Sequence, residues 1–210
     1  MITFDSVSSA EMEAMCTPMH RILSPGPITT TCKPTGALYL GSMAAMHDRD
    51  LLHEHHITHL VQVLEVPWLP QEDEAAAVFS YHRIDLEDRT SATLRPHLAA
   101  ACDFIQAALG RGENVLVHCQ QGVSRSASIV IAYLIRQHAM SYDSAFALVK
   151  TRRACIHPNS GFVAALRDWE AACTLRSPIL VPTPKVASRY MRDRFTHEPQ
   201  EIRVSKSASG

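Results

Sequence analysis

Residues 115–128 read Val-Leu-Val-His-Cys-Gln-Gln-Gly-Val-Ser-Arg-Ser-Ala-Ser, and their pattern decides the fold. A short apolar run, Val115 to Val117, ends at His118 and Cys119. A glycine-bearing turn follows, and a longer apolar run extends from Ala127 to Ile135. This order predicts a buried strand, a loop and a buried helix. The backbone N–H groups of Gln120, Gln121, Gly122, Val123, Ser124 and Arg125 would then surround a concavity at a helix N-terminus. Such a nest, aligned with the positive end of the helix dipole, suits a tetrahedral oxyanion.

Cys119 is expected at the floor of this nest. The thiolate is the reactive form of cysteine, and a helix N-terminus or a nearby cation favours it. Arg125 offers a planar fork that can hold two phosphoryl oxygens at once, a geometry lysine lacks. Gly122 supplies a position where positive φ carries little penalty. Ser126 follows the arginine, where its hydroxyl can donate to the sulfur and stabilise it as a leaving group. His118 is a candidate for tuning that sulfur, with a packed strand histidine as the equal alternative. A free cysteine in a buried strand is the bland reading of Cys119. The register of His118, Cys119, Gly122, Arg125 and Ser126 argues against it.

HCQQGVSRS (118–126) resembles the HC-x5-RS signature of the cysteine-dependent protein phosphatases, and specifically their small dual-specificity branch. Two further stretches are similar to that family: GALYLG (36–41) with ITHL (57–60), and RRACIHPNSGF (152–162). The resemblance covers roughly residues 36–173. It implies that Asn159 buttresses the phosphate loop; from the residues alone Asn159 is a helix cap. Expulsion of an alkoxide or phenoxide needs a general acid, and Asp85, Glu87 and Asp88 are the candidates upstream. The family carries its acid about thirty residues before the cysteine. Asp88, 31 positions ahead, fits that place, and Asp85 is the second choice.

The implied function is hydrolysis of phosphotyrosine and phosphoserine or phosphothreonine in protein substrates, through a phosphocysteine intermediate. The alternatives are a silent phosphoprotein-binding module and a phosphatase of lipid, RNA or glycan phosphates. Gln120 and Gln121 stand where phosphoinositide members of the class carry lysines, which weighs against the lipid reading. No cofactor and no metal are expected. In HEHHITH (53–59) His55 and His59 are spaced i, i+4. The pattern there passes from helix into strand, and no further ligands complete a site.

The chain has 210 residues, a net charge of −1 and 46% hydrophobic residues, which suits one α/β domain with tails and argues against nucleic-acid binding. No apolar run is long enough for a membrane span, and the first residues lack the pattern of a signal peptide. The six cysteines are widely spaced, which fits a reducing interior, cytoplasmic or nuclear, better than a disulfide framework. Oligomeric state stays open.

Strands separated by helical stretches predict a single domain with a central mixed, mostly parallel β-sheet flanked by α-helices. Residues 1–35, rich in Ser, Thr, Pro and Met, read as an irregular leader, and 36–173 as the catalytic domain. Strands are expected at 36–41, 59–64 and 78–84, and helical turns at 48–54. Pro67 and Pro70 close a strand, and 71–77 form an acidic connection. Helices are expected from Pro96 to Gly110, after the loop, and from Ser141, where Lys150, Arg152 and Arg153 would face the C-terminal end of the dipole. A last helix buries Phe162, Leu166 and Trp169. Residues 174–210 read as a disordered tail, with seven Lys or Arg against three Asp or Glu from 176 to 206.

Overall fold

The central strands carry unbroken apolar sequence because both of their faces are covered. In the computed structural model, which describes residues 8–26, 35–65 and 79–176, these are β2 (Leu38–Gly41), β3 (Ile57–Val63) and β5 (Asn114–His118). β2 is buried throughout, and β3 and β5 nearly so, as parallel strands between helical layers should be. The sheet adds β1 (Met19–Leu23) and β4 (Ser80–Ile84), in the order β1-β2-β5-β3-β4. All pairings are parallel except β1 with β2. The mixed, mostly parallel sheet is therefore as expected.

One face is covered by α4 (Arg95–Gly110), α5 (Arg125–His138), α6 (Tyr142–Arg152) and α7 (Ser160–Arg176). α2 (Met43–His47) and α3 (Arg49–Glu54) pack on the other. α5 runs through the core, with Ser126 to Ile135 all buried. A fully buried aliphatic side chain contributes roughly 1.5–3 kcal/mol, so this helix is held by packing. Phe162, Leu166 and Trp169 of α7 face inward, and Trp169 donates its indole N–H to the Ala132 carbonyl at 3.1 Å.

Register places the site. Gly41 pairs with His118, and His118 with Gln62, so β2, β5 and β3 end side by side. The loops after β2, β5 and β4 therefore share the carboxyl edge of the sheet, where open α/β sheets bind ligands.

The N-terminal stretch differs from expectation. Instead of an irregular leader, residues 9–23 form α1 (Ser9–Cys16) and the antiparallel edge strand β1. Ser8 and Glu11 build a reciprocal capping box, a spacing visible in the sequence. The helical turns expected at 48–54 are preceded by a further short helix, α2, and α7 runs to Arg176, past the expected boundary at 173. Pro67, Pro70, the connection at 71–77 and the chain from 177 onward lie outside the described residues. Among the described residues no helix is long and apolar enough to cross a membrane.

Candidate active site

Cys119 follows the last residue of β5 and is 2% exposed. Two donors converge on its sulfur: the Gly122 backbone N–H at 3.2 Å and the Ser126 hydroxyl at 3.1 Å. Both contacts favour negative charge on sulfur.

The loop is shaped by what holds its carbonyls. Met43 N–H donates to Gln120 O at 3.1 Å, and His157 N–H donates to Val123 O at 2.9 Å. Between them the Arg153 guanidinium donates to Gln121 O at 3.1 Å and Gly122 O at 2.9 Å. In a trans peptide the C=O and the following N–H point in opposite directions. Four consecutive carbonyls drawn outward thus turn the N–H groups of Gln121, Gly122, Val123 and Ser124 toward the concavity. Gly122 has φ +69°, and an added Cβ would stand 2.6 Å from the Gly41 carbonyl oxygen. Only glycine fits there.

Arg125 opens α5 and lies beside the loop, its Nη1 donating to Leu86 O at 3.3 Å. Its Nε has no hydrogen-bond partner among the described residues, although Asp88 Oδ2 stands 3.8 Å away. A partly buried guanidinium whose buried Nε is unspent is suited to an oxyanion.

Of the three upstream acids, the structure brings Asp88 to the loop. Its Oδ1 accepts from Ser124 Oγ at 2.7 Å and from Asn159 Nδ2 at 2.8 Å. Ser124 stands at the N-cap of α5 yet makes no side-chain cap, because its hydroxyl serves Asp88 and accepts from Asn159 N–H at 3.2 Å. Asn159 also caps α7, its Oδ1 accepting from Phe162 N–H at 3.0 Å. Gly161 lets the Thr90 carbonyl approach α7 so closely that a Cβ would collide with it. Asp85 instead lines an adjoining cleft of about 620 Å³ with Glu65, Glu87 and His97, and Glu87 pairs with Arg89 at 2.7 Å.

His118 is wholly buried, and neither ring nitrogen has a partner meeting full hydrogen-bond geometry among the described residues. Burial pulls its pKa down to about 4; the Cys119 backbone opposes this and His47 adds to it. A neutral ring at the end of β5 is the outcome. His55 and His59 part company: the His55 ring lies tilted against Tyr39 with centroids 5.3 Å apart, whereas His59 meets Arg111 at 3.2 Å and Glu113 at 3.5 Å.

Arg153 is the residue the sequence reading missed. The helix pattern places it at the C-terminal end of α6, which it does cap, but it does so from full burial. That it turns under the loop rests on tertiary contacts no local pattern encodes.

A strand, an anion-binding loop and a helix, with cysteine at the floor and arginine at the rim, define the cysteine-based phosphatase class of fold. The family model "Dual specificity phosphatase, catalytic domain" matches residues 38–172, and the chain belongs to that family. It is 39% identical over 142 residues to the dual specificity protein phosphatase MPK-4 of Drosophila melanogaster, covering 68% of this chain and 36% of that one. Identity is 37% over 133 residues with dual specificity protein phosphatase 1B of Arabidopsis thaliana, covering 63% and 77%. The chain thus spans little more than a third of the fly relative. Among solved structures, the human tyrosine phosphatase-like serine/threonine/tyrosine-interacting protein superposes with a TM-score of 0.63 at 32% identity, covering 73% of this chain and 96% of that one.

Proposed function

We propose that this protein hydrolyses phosphotyrosine and phosphoserine or phosphothreonine in protein substrates through a phosphocysteine at Cys119. The observation that carries the reading is the convergence of Gly122 N–H and Ser126 O–H on the Cys119 sulfur, inside a loop whose carbonyls are drawn outward.

The thiolate attacks phosphorus while the loop N–H groups and Arg125 hold the equatorial oxygens. The bond to the leaving oxygen breaks, and Asp88 gives that oxygen its proton. Water then attacks the phosphocysteine, Asp88 takes the proton, and the P–S bond breaks as Ser126 donates to the departing sulfur. Ser124 and Asn159 hold Asp88 against the loop between the two steps. A working thiolate suits a reducing compartment, cytoplasmic or nuclear.

The second reading is a module that captures phosphoproteins without turnover, favoured by the likeness to a protein named for interaction. Retention of Cys119, Arg125 and Asp88 supports turnover instead. The test is hydrolysis of p-nitrophenyl phosphate and of phosphopeptides in chelator, with wild type beside Cys119→Ser. Turnover lost in the variant, with phosphopeptide binding kept, supports the enzyme. Equal turnover in both refutes the nucleophile, and binding without turnover in wild type establishes the module.

A further inference from the structure

Arg153 is 0% exposed, and each of its groups is engaged. Nε and Nη2 hold the Gly122 and Gln121 carbonyls, while Nη1 reaches away to the Thr17 carbonyl and to His20 Nδ1, both at 2.9 Å. All four acceptors are neutral, and no carboxylate pairs with it among the described residues. Burial lowers its pKa, and the negative forms of Cys155 and Cys119 oppose that. A buried cation without a carboxylate is costly, and side chains that leave one acceptor short are penalised strongly.

We infer that His20 is a positioning residue for catalysis, acting through Arg153 on the backbone of the phosphate loop. This rests on the phosphatase reading above.

The guanidinium is planar and rigid, so fixing one edge fixes the other. The far edge is fixed on α1 and β1. Thr17 caps α1, and His20 sits in β1 opposite Leu40, one residue from the Met19–Gly41 pair. β1 is thus locked to β2, and β2 to β5, which ends at His118, one residue before Cys119. The near edge draws out two carbonyls and so aims Gly122 N–H and Val123 N–H inward. His20 serves as an acceptor only as a neutral ring with its proton on Nε2. Burial and Arg153 hold its pKa below the ordinary histidine value, with Glu13 opposing. Without this acceptor the fork keeps its charge but loses one of the two contacts that hold its far edge.

The test uses the full chain and two readouts: turnover of p-nitrophenyl phosphate, and tungstate affinity by calorimetry, which needs no chemistry. His20→Leu removes the acceptor; His20→Asn places Oδ1 where Nδ1 stood. Arg153→Lys is the companion variant, since one ammonium cannot span the four acceptors. The expected result is a roughly tenfold loss of tungstate affinity and of kcat in His20→Leu, the same direction in Arg153→Lys, and recovery of most of both in His20→Asn. Wild-type tungstate affinity in His20→Leu overturns the inference, as does equal loss in the Leu and Asn variants. If wild type binds tungstate but shows no Cys119-dependent turnover, the phosphatase reading fails, and the affinities still decide the role of His20.

Discussion

Asn159 donates its side-chain amide to Asp88 at 2.8 Å, joining two loops that lie 71 positions apart. The same carboxylate oxygen accepts from Ser124, so the proposed acid is tied to the phosphate loop through Ser124 and to the segment before α7 through Asn159. Asp88→Asn is expected to slow hydrolysis of alkyl phosphates about 100-fold or more, and aryl phosphates less, because a good leaving group needs less help. Asn159→Ala should cost less, and the double variant should not be additive. Steady-state rates across pH check this; additive losses would uncouple the pair.

Ser126→Ala removes the 3.1 Å donor to the Cys119 sulfur. Departure of the sulfur belongs to the second step, so hydrolysis of the intermediate should become limiting. The expected signature is a rapid burst of nitrophenol followed by a turnover some 10- to 100-fold slower. Stopped-flow traces without a burst would remove Ser126 from that step.

Gly122→Ala should lower stability by about 2–4 kcal/mol and abolish turnover. The new Cβ meets the Gly41 carbonyl at 2.6 Å, and φ of +69° is strained for any L side chain. Gly110 closes α4 with nothing within 4 Å of an added Cβ, so Gly110→Ala should gain a few tenths to about 1 kcal/mol. Urea denaturation of the two variants compares them directly; similar midpoints would contradict the clash.

His118 gives stability a pH dependence of known sign. Its folded-state pKa is about 4, below the ordinary 6.5, so between those values the unfolded chain binds more protons. The contribution is complete above about pH 6.5 and falls away toward pH 4, by at most about 3 kcal/mol. His20, His59, His82 and His138 are lowered too and add to the wild-type slope. The difference between wild type and His118→Gln isolates one residue. Identical slopes in denaturation from pH 4.5 to 7.5 would show that His118 does not titrate as stated.

The β5–loop–α5 unit was legible because its signals are local: a three-residue apolar run, a glycine, and an arginine opening a buried helix. The place of Asp88 followed from family likeness, while its link to Ser124 and Asn159 needed coordinates. The leader 1–35 reads as irregular from its Ser, Thr, Pro and Met content, and MHRIL within it carries no alternating pattern; β1 exists by pairing with β2, not by its own periodicity. The Ser8–Glu11 spacing was the available clue to α1. Arg153 was read from its position near a helix end, where basic residues usually sit in solvent. Its burial depends on carbonyls 31 and 136 residues distant.

The four outward carbonyls have an implication for the order of unfolding. Their donors come from α2, from the end of α6 and from the segment before α7, and Arg153 in turn leans on β1. The anion cradle is thus the least autonomous part of the molecule: release of any one contributor disorders it while the α5 core persists. Catalytic competence should therefore report the integrity of the whole domain, and mild denaturant is expected to extinguish it before helix content declines.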